Sequence, residues 1–252
     1  MTTTIAIAGK GGSGKTTIAA LLIKLLSEKG AVLAIDADPA TNLNLTLGLP
    51  LNDTVGKVRE QMAKAVKERT LEPGVAKQDY LDIKIAEALV ESPSVDLIAM
   101  GRPEGPGCYC AANNMIRACI DRMGKGYEYV IIDCEAGMEH ISRQTTRDID
   151  IMLLVSDLSV RGILTAVNMK SLMKELRTYV DKVHLIVNRA TEPLPPKIAQ
   201  TIEESSLKVI GVIPEDPKVR ELDAAGIPLV ELPDDSLLKI ALTNIARKLA
   251  LI

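Results

Sequence analysis

Nine consecutive residues near the start of the chain, Gly9-Lys10-Gly11-Gly12-Ser13-Gly14-Lys15-Thr16-Thr17, have the composition of a phosphate cradle. Glycines let successive backbone N–H groups turn toward one point. The closing lysine and threonine offer an ammonium to phosphate oxygens and a hydroxyl to a divalent cation. The run follows an apolar strand pattern (Ile5–Ala8) and opens an apolar helix pattern (Lys15–Lys29), which is the context G-x-x-x-x-G-K-[ST] needs to bind a nucleoside triphosphate. Gly11, Gly12, Ser13, Gly14, Lys15, Thr16 and Thr17 are therefore the expected nucleotide contacts. Lys15 should grip the β- and γ-phosphates, and Thr16 should ligate Mg2+.

A second chemistry is suggested by Gly105-Pro106-Gly107-Cys108-Tyr109-Cys110, a Gly/Pro-rich loop after the Val95–Met100 run. Two thiolates one residue apart cannot complete a tetrahedral metal site alone. A two-fold dimer would bring two pairs together as a site of four thiolates, suited to Zn2+, Ni2+, Cu+ or an iron–sulfur cluster. The spacing equally fits two small packing residues on a turn. Cys119 and Cys134 read as buried packing thiols.

The lysine at position 10 carries a resemblance. A Gly-Lys-Gly-Gly-x-Gly-Lys-Thr-Thr loop is similar to the deviant Walker A of the family containing MinD, ParA, the nitrogenase iron protein and the arsenite and tail-anchored-protein ATPases. That resemblance implies that Lys10 reaches across a homodimer interface to the partner's nucleotide. It also implies roles for four further stretches. Asp36-Ala37-Asp38-Pro39-Ala40-Thr41-Asn42 resembles switch I, with Asp38 orienting the attacking water and Asp36 supporting Mg2+ through a water. Both acids could also cap the following helix. Ile131-Ile132-Asp133-Cys134-Glu135-Ala136-Gly137 resembles Walker B and switch II, with Asp133 near Mg2+ and the Gly137 N–H sensing the γ-phosphate. Val187-Asn188-Arg189 and Gly211-Val212-Ile213-Pro214-Glu215-Asp216 resemble the base-side loops, so Asn188, Arg189, Pro214 and Glu215 are expected near adenine, favouring ATP over GTP.

The Gly-x-Gly-Cys-Tyr-Cys loop, together with Asp133-Cys134-Glu135-Ala136-Gly137-Met138-Glu139-His140, resembles the CooC-type accessory ATPases that support nickel insertion into carbon monoxide dehydrogenase, or into acetyl-CoA synthase for a sister type. It departs from that pattern in having Cys134 after the Walker B aspartate. The resemblance runs from Ile5 to the final helix. It implies an ATP-hydrolysing metallochaperone in which Cys108 and Cys110 hold Ni2+ (or Zn2+) across a homodimer, with a nickel enzyme as client. Two alternatives stand beside it. One is a MinD/ParA-like spatial-organisation ATPase without metal; the other is a redox protein with a dimer-bridging iron–sulfur cluster.

These residues need a scaffold that delivers them to one edge. Apolar runs at Ile5–Ala8, Val32–Asp36, Val95–Met100, Tyr129–Asp133, Ile151–Val155, Val183–Asn188 and Val209–Ile213 are continuous rather than alternating, as in strands covered on both faces. Helical patterns (Lys15–Lys29, Asn114–Arg122, Ile163–Thr178, Lys197–Ser205) lie between most of them. The alternation predicts a three-layer, doubly wound, mainly parallel α/β sheet of the P-loop type. Pro228–Leu232 is expected as a last short strand before a C-terminal helix capped by Asp234, Asp235 or Ser236. The charged stretch 52–92 reads as helices inserted over the nucleotide edge of one domain spanning 1–252.

Composition bounds the rest. The 252 residues are 47% hydrophobic and carry a net charge of −3, with no Phe or Trp and five Tyr. That excludes an aromatic stacking platform for single-stranded nucleic acid and gives no basic excess for DNA. The apolar runs are shorter than the roughly 20 residues that span a bilayer, and the N-terminus has no signal-peptide pattern, so the cytoplasm is expected. The amphipathic stretch Leu237–Ile252 is expected to pack on the sheet rather than on a membrane. His184 reads as structural and His140 as a surface or satisfied histidine rather than a coupler of metal to nucleotide, and Arg161 as the ion-pair partner of Asp157 rather than a phosphate contact.

Overall fold

The computed structural model describes residues 2–68, 70, 77–101, 115, 118, 121–136, 148–175 and 179–252. Among these residues seven strands form one sheet: β1 (Thr3–Gly9), β2 (Val32–Asp36), β3 (Val95–Ala99), β4 (Tyr129–Asp133), β5 (Asp148–Ser156), β6 (Tyr179–Asn188) and β7 (Lys208–Ile213). The order is β3-β2-β4-β1-β5-β6-β7, and every neighbouring pair is parallel. The sole antiparallel link among the described residues is the isolated bridge between Val90 and Leu97. All carboxyl ends therefore open on one edge, where a doubly wound sheet binds its ligand.

Alternate side chains on each strand feed two cores. Ala6, Leu33, Ile132, Leu154 and Val187 face one layer, and Ile5, Ala34, Ile131, Leu153 and Ile186 face the other. The first layer is covered by α3 (Val55–Glu68), α4 (Lys77–Ala88), α5 (Val160–Glu175) and α6 (Pro196–Ser205), through Val58, Ile85, Met169 and Ile198 among others. The second is covered by α1 (Lys15–Ser27), the short α2 (Leu43–Leu47) and α8 (Leu237–Lys248). The 52–92 stretch is thus largely α3 and α4, and the Gly56 N–H bonds the Met100 carbonyl just past β3 at 2.8 Å. The three-layer expectation holds because both faces of each central strand are dry.

Two local readings are corrected. Pro228–Leu232 is not a strand but surrounds a 3-10 turn, Leu229–Glu231. Pro228 has no N–H to give a ladder, and its carbonyl instead accepts from Glu231 N at 3.0 Å. The helix α7 (Pro217–Ala225), capped by Asp216, was not evident in the apolar pattern because none of its residues is buried. At the C-terminus, Ser236 is the cap of α8, its hydroxyl accepting from Lys239 N at 3.2 Å. The apolar face of α8 (Leu238, Leu242, Ile245) lies in the second core, as expected. Among the described residues no helix is long and apolar enough to cross a membrane.

His184 sits in β6 opposite Leu153 and Lys208 and is buried, with Nδ1 unpartnered among the described residues. Burial, with Lys208 and Lys182 alongside, holds its imidazole below the usual histidine range. A depressed folded pKa means that the unfolded chain takes up the proton first. The stabilising effect is complete above the ordinary value of 6.5 and is lost as pH falls below it. Urea denaturation of wild type against His184→Gln should show wild type losing stability relative to the variant between about pH 7.5 and pH 5.5. A pH-independent difference would contradict the assignment.

Candidate functional site at the carboxyl edge of the sheet

The glycine-rich loop joins β1 to α1 at the centre of this edge. Gly14 caps α1 in the left-handed region at φ 93°, and a Cβ there would fall 2.3 Å from Asn188 Nδ2. Only glycine meets both conditions. Asn188, at the end of β6, is buried and donates Nδ2 to the Ser13 carbonyl at 2.7 Å, while its Oδ1 accepts from Arg189 N at 3.0 Å. The loop is therefore clamped from behind by the strand that also borders the base side. Lys15 is buried, with its ammonium 3.4 Å from the Lys10 carbonyl. Its ammonium is thus turned back onto the start of the loop.

Strand register brings the carboxylates together. β2 and β4 pair with Asp36 directly opposite Asp133. Both are 1% exposed. Thr16 Oγ1 donates to Asp133 Oδ2 at 2.6 Å, whereas Asp133 Oδ1 is buried without a partner among the described residues. Asp36 accepts from Asp38 N and Leu43 N, both at 3.0 Å, so it anchors the following turn and the start of α2. Burial pushes Asp133 up to about 7 against the Thr16 hydrogen bond, with Asp36 adding to the rise. Burial likewise lifts Asp36 to about 6 despite its backbone donors. Two desolvated carboxylates, one of them with an orphaned oxygen, and a hydroxyl make a donor set for a hard divalent cation, which prefers oxygen ligands. Mg2+ fits the residues present.

Asp38 is half-buried; its Oδ1 accepts from Ala40 N at 2.8 Å, and its other oxygen makes no hydrogen bond among the described residues. Thr41, at the end of this turn, takes φ 50°, an uncommon conformation for a β-branched residue. Cys134, next to Asp133, is fully buried, and burial pushes its thiol up to about 12, so it is packing material and not a thiolate.

Beside the loop lies a cavity of about 640 Å³ lined by Gly14, Thr16, Thr17, Asn188, Arg189, Pro214 and Glu215. Its other walls were not anticipated from sequence: Asn42, Leu45 and Thr46 at α2, and Val219, Arg220 and Asp223 from α7. Arg220 pairs with Glu215 at its rim. Asp216 fixes this side of the site. It accepts from Lys218 N at 3.0 Å, from Ser236 Oγ at 2.6 Å and from Leu238 N at 3.2 Å, tying α7 to α8. Burial works against its charge, but these donors outweigh it and hold the carboxyl below the usual range. An aspartate followed by Pro217-Lys218 is a helix-cap signal, and it was the available clue.

The expected pair of Asp157 with Arg161 is not formed. Asp157 instead faces Lys10 at 3.6 Å, because Gly9 and Val155 are opposite each other where β1 and β5 end. Gly137, His140, Cys108, Cys110 and Cys119 lie outside the described residues. Among the described residues no group of three or more His, Cys, Asp or Glu is placed to hold a metal ion.

A family model described as the CobQ/CobB/MinD/ParA nucleotide binding domain matches residues 4–229. The chain belongs to this family. The relatives of this MinD/ParA-type chain include an uncharacterised ATP-binding protein of Methanocaldococcus jannaschii, 43% identical over 246 residues and 97% of each chain. The carbon monoxide dehydrogenase accessory protein CooC of Rhodospirillum rubrum is 30% identical over 245 residues, covering 90% of this chain and 89% of its own. Among solved structures, the septum site-determining protein MinD of Pyrococcus horikoshii in complex with Mg-ADP superposes with a TM-score of 0.71 at 24% identity, covering 99% and 96% of the two chains. The fold of this chain is therefore that of the MinD/ParA P-loop ATPases.

The buried carboxylates have a measurable cost in the metal-free protein. Asp133→Asn should raise its unfolding free energy at pH 8 by about 1–3 kcal/mol in urea denaturation, because one of two adjacent desolvated charges is removed. The same variant should bind Mg·ATP at least roughly tenfold more weakly by calorimetry, since a charged cation ligand is lost. A variant that is less stable than wild type at pH 8 would contradict this electrostatic account.

Proposed function

We propose that residues 1–252 act as one Mg·ATP-hydrolysing domain that works as a nucleotide-gated homodimer and carries thiolate-bound nickel, or zinc in its place, to a nickel enzyme of the carbon monoxide dehydrogenase or acetyl-CoA synthase type. The observation that carries the ATPase reading is the Asp133 oxygen beside Thr16 that has no partner among the described residues, at the mouth of a clamped glycine loop. The client reading is supported by the similarity to CooC over nine-tenths of the chain.

The residues divide the work. Backbone N–H groups of Gly11 to Gly14 and the α1 N-terminus receive the phosphates. Lys15 holds β- and γ-phosphate oxygens. Mg2+ held by Thr16, with Asp133 and Asp36 directly or through water, would supply charge neutralisation on the triphosphate. Asp38 orients the attacking water through the oxygen left free by Ala40, and Gly137 reads the γ-phosphate. Asn188, Arg189, Pro214 and Glu215 border adenine. Lys10 crosses to the partner's nucleotide. Cys108 and Cys110 from both subunits form the cargo site, and hydrolysis changes its geometry by loosening the dimer. Such coupling requires different thiolate geometry in the ATP and ADP states. A membrane-switch reading finds less support, since the apolar face of α8 is already occupied by the core.

The test is an anaerobic nickel and zinc titration of wild type and the Cys108→Ser/Cys110→Ser variant, with oligomer mass measured in ADP and in a non-hydrolysed ATP analogue. One metal per dimer that disappears in the variant is expected. Equal stoichiometry in both proteins rejects the cargo site.

A further inference from the structure

The two lysines of the glycine loop point in different directions. Lys15 folds into the loop and is buried, whereas the Lys10 side chain leaves it and is 43% exposed. Its ammonium lies 3.6 Å from Asp157 Oδ2, on the turn that follows β5. The remainder of that turn positions the carboxylate. Ser159 Oγ donates to Asp157 Oδ1 at 2.5 Å and itself accepts from Gly162 N at 3.0 Å. A Cβ at residue 162 would fall 2.2 Å from the same Oδ1. Gly162 is therefore required for the carboxylate to occupy this place. One oxygen is fixed by the turn, and the other is presented to the loop lysine.

We propose that Asp157 is an intramolecular latch on Lys10, holding the ammonium on its own subunit until the triphosphate of a second copy of this chain competes for it. The proposal rests on the homodimer reading above and specifies how its threshold is set. Magnitude decides what kind of device this is. An ion pair with both partners this exposed shifts an equilibrium by roughly 1.5- to 5-fold. A dimer must open two, so the combined effect on self-association is roughly 2- to 25-fold. That is a bias and not a lock: the doubly charged γ-phosphate overcomes it, whereas a diphosphate offers less charge at the interface. The pair is also open to screening, so the latch weakens as ionic strength rises.

The experiment compares wild type, Asp157→Asn, Ser159→Ala and Lys10→Ala. Self-association is followed by sedimentation velocity with Mg2+ and a non-hydrolysed ATP analogue, and Lys10 reductive methylation is followed by mass spectrometry without nucleotide. Asp157→Asn should methylate faster at Lys10 and associate roughly 2- to 25-fold more tightly, the gap closing at high salt. Ser159→Ala should fall between it and wild type. Adding Asp157→Asn to Lys10→Ala should change association no further. An unchanged methylation rate in Asp157→Asn overturns the latch itself. Faster methylation with unchanged or weaker association overturns its control of the dimer while wild-type dimerisation leaves the parent reading standing. A wild type that stays monomeric with the analogue overturns the dimer and the latch's role together.

Discussion

Two carboxylates buried side by side are a constraint to which much of the described structure answers. Asp36 and Asp133 are delivered by adjacent parallel strands in direct register, at an edge almost closed to water. Desolvation and mutual repulsion oppose both charges. An unpaired buried charge is strongly unfavourable, and a cation bound between the two carboxylates would offset that cost. The Thr16 hydroxyl covers one Asp133 oxygen, and the other has no partner among the described residues. The groups gathered there offer oxygen ligands alone.

Holding that arrangement steady falls to hydrogen bonds made behind and beside the loop. Asn188 clamps the loop from behind through the Ser13 carbonyl. Asp36 is itself an anchor, receiving the N–H groups of Asp38 and Leu43, so the turn carrying Asp38 and the start of α2 are tied to the carboxylate pair. On the far side, Asp216 ties the base-side loop to the first turns of α7 and α8. Polar groups placed on strand ends and fixed by backbone donors are more rigid than groups on free loops, which is how positioning can replace strong base chemistry in phosphoryl transfer.

Nucleotide binding and the proposed cargo delivery rest on different physics. Nucleotide binding follows from a geometry confined to one subunit and from membership of the MinD/ParA family. The proposed cargo delivery would depend on two subunits meeting, because a C-x-C pair is half a tetrahedral site. Lys10 stands between the two. It belongs to the loop, yet it is turned outward to Asp157.

The strands and the glycine loop were legible in the order of the residues. Continuous aliphatic runs admit few structures other than two-sided strands, and Gly14-Lys15-Thr16 opening a helix admits few uses. Asp36, Asp133 and Asn188 were marked too, because each closes such a run. Pro228–Leu232 was misleading, since an apolar run without a donor at Pro228 curls into a turn, and α7 left no apolar signal because it buries nothing. Which charges meet was settled by folding. Strand order places β5 beside β1 although β2, β3 and β4 intervene along the chain, and so gives Lys10 the carboxylate of Asp157 in place of Arg161. Pairing in a parallel sheet is non-local: the residues that face one another at its edge are set by strand order and register, which no local pattern of residues encodes.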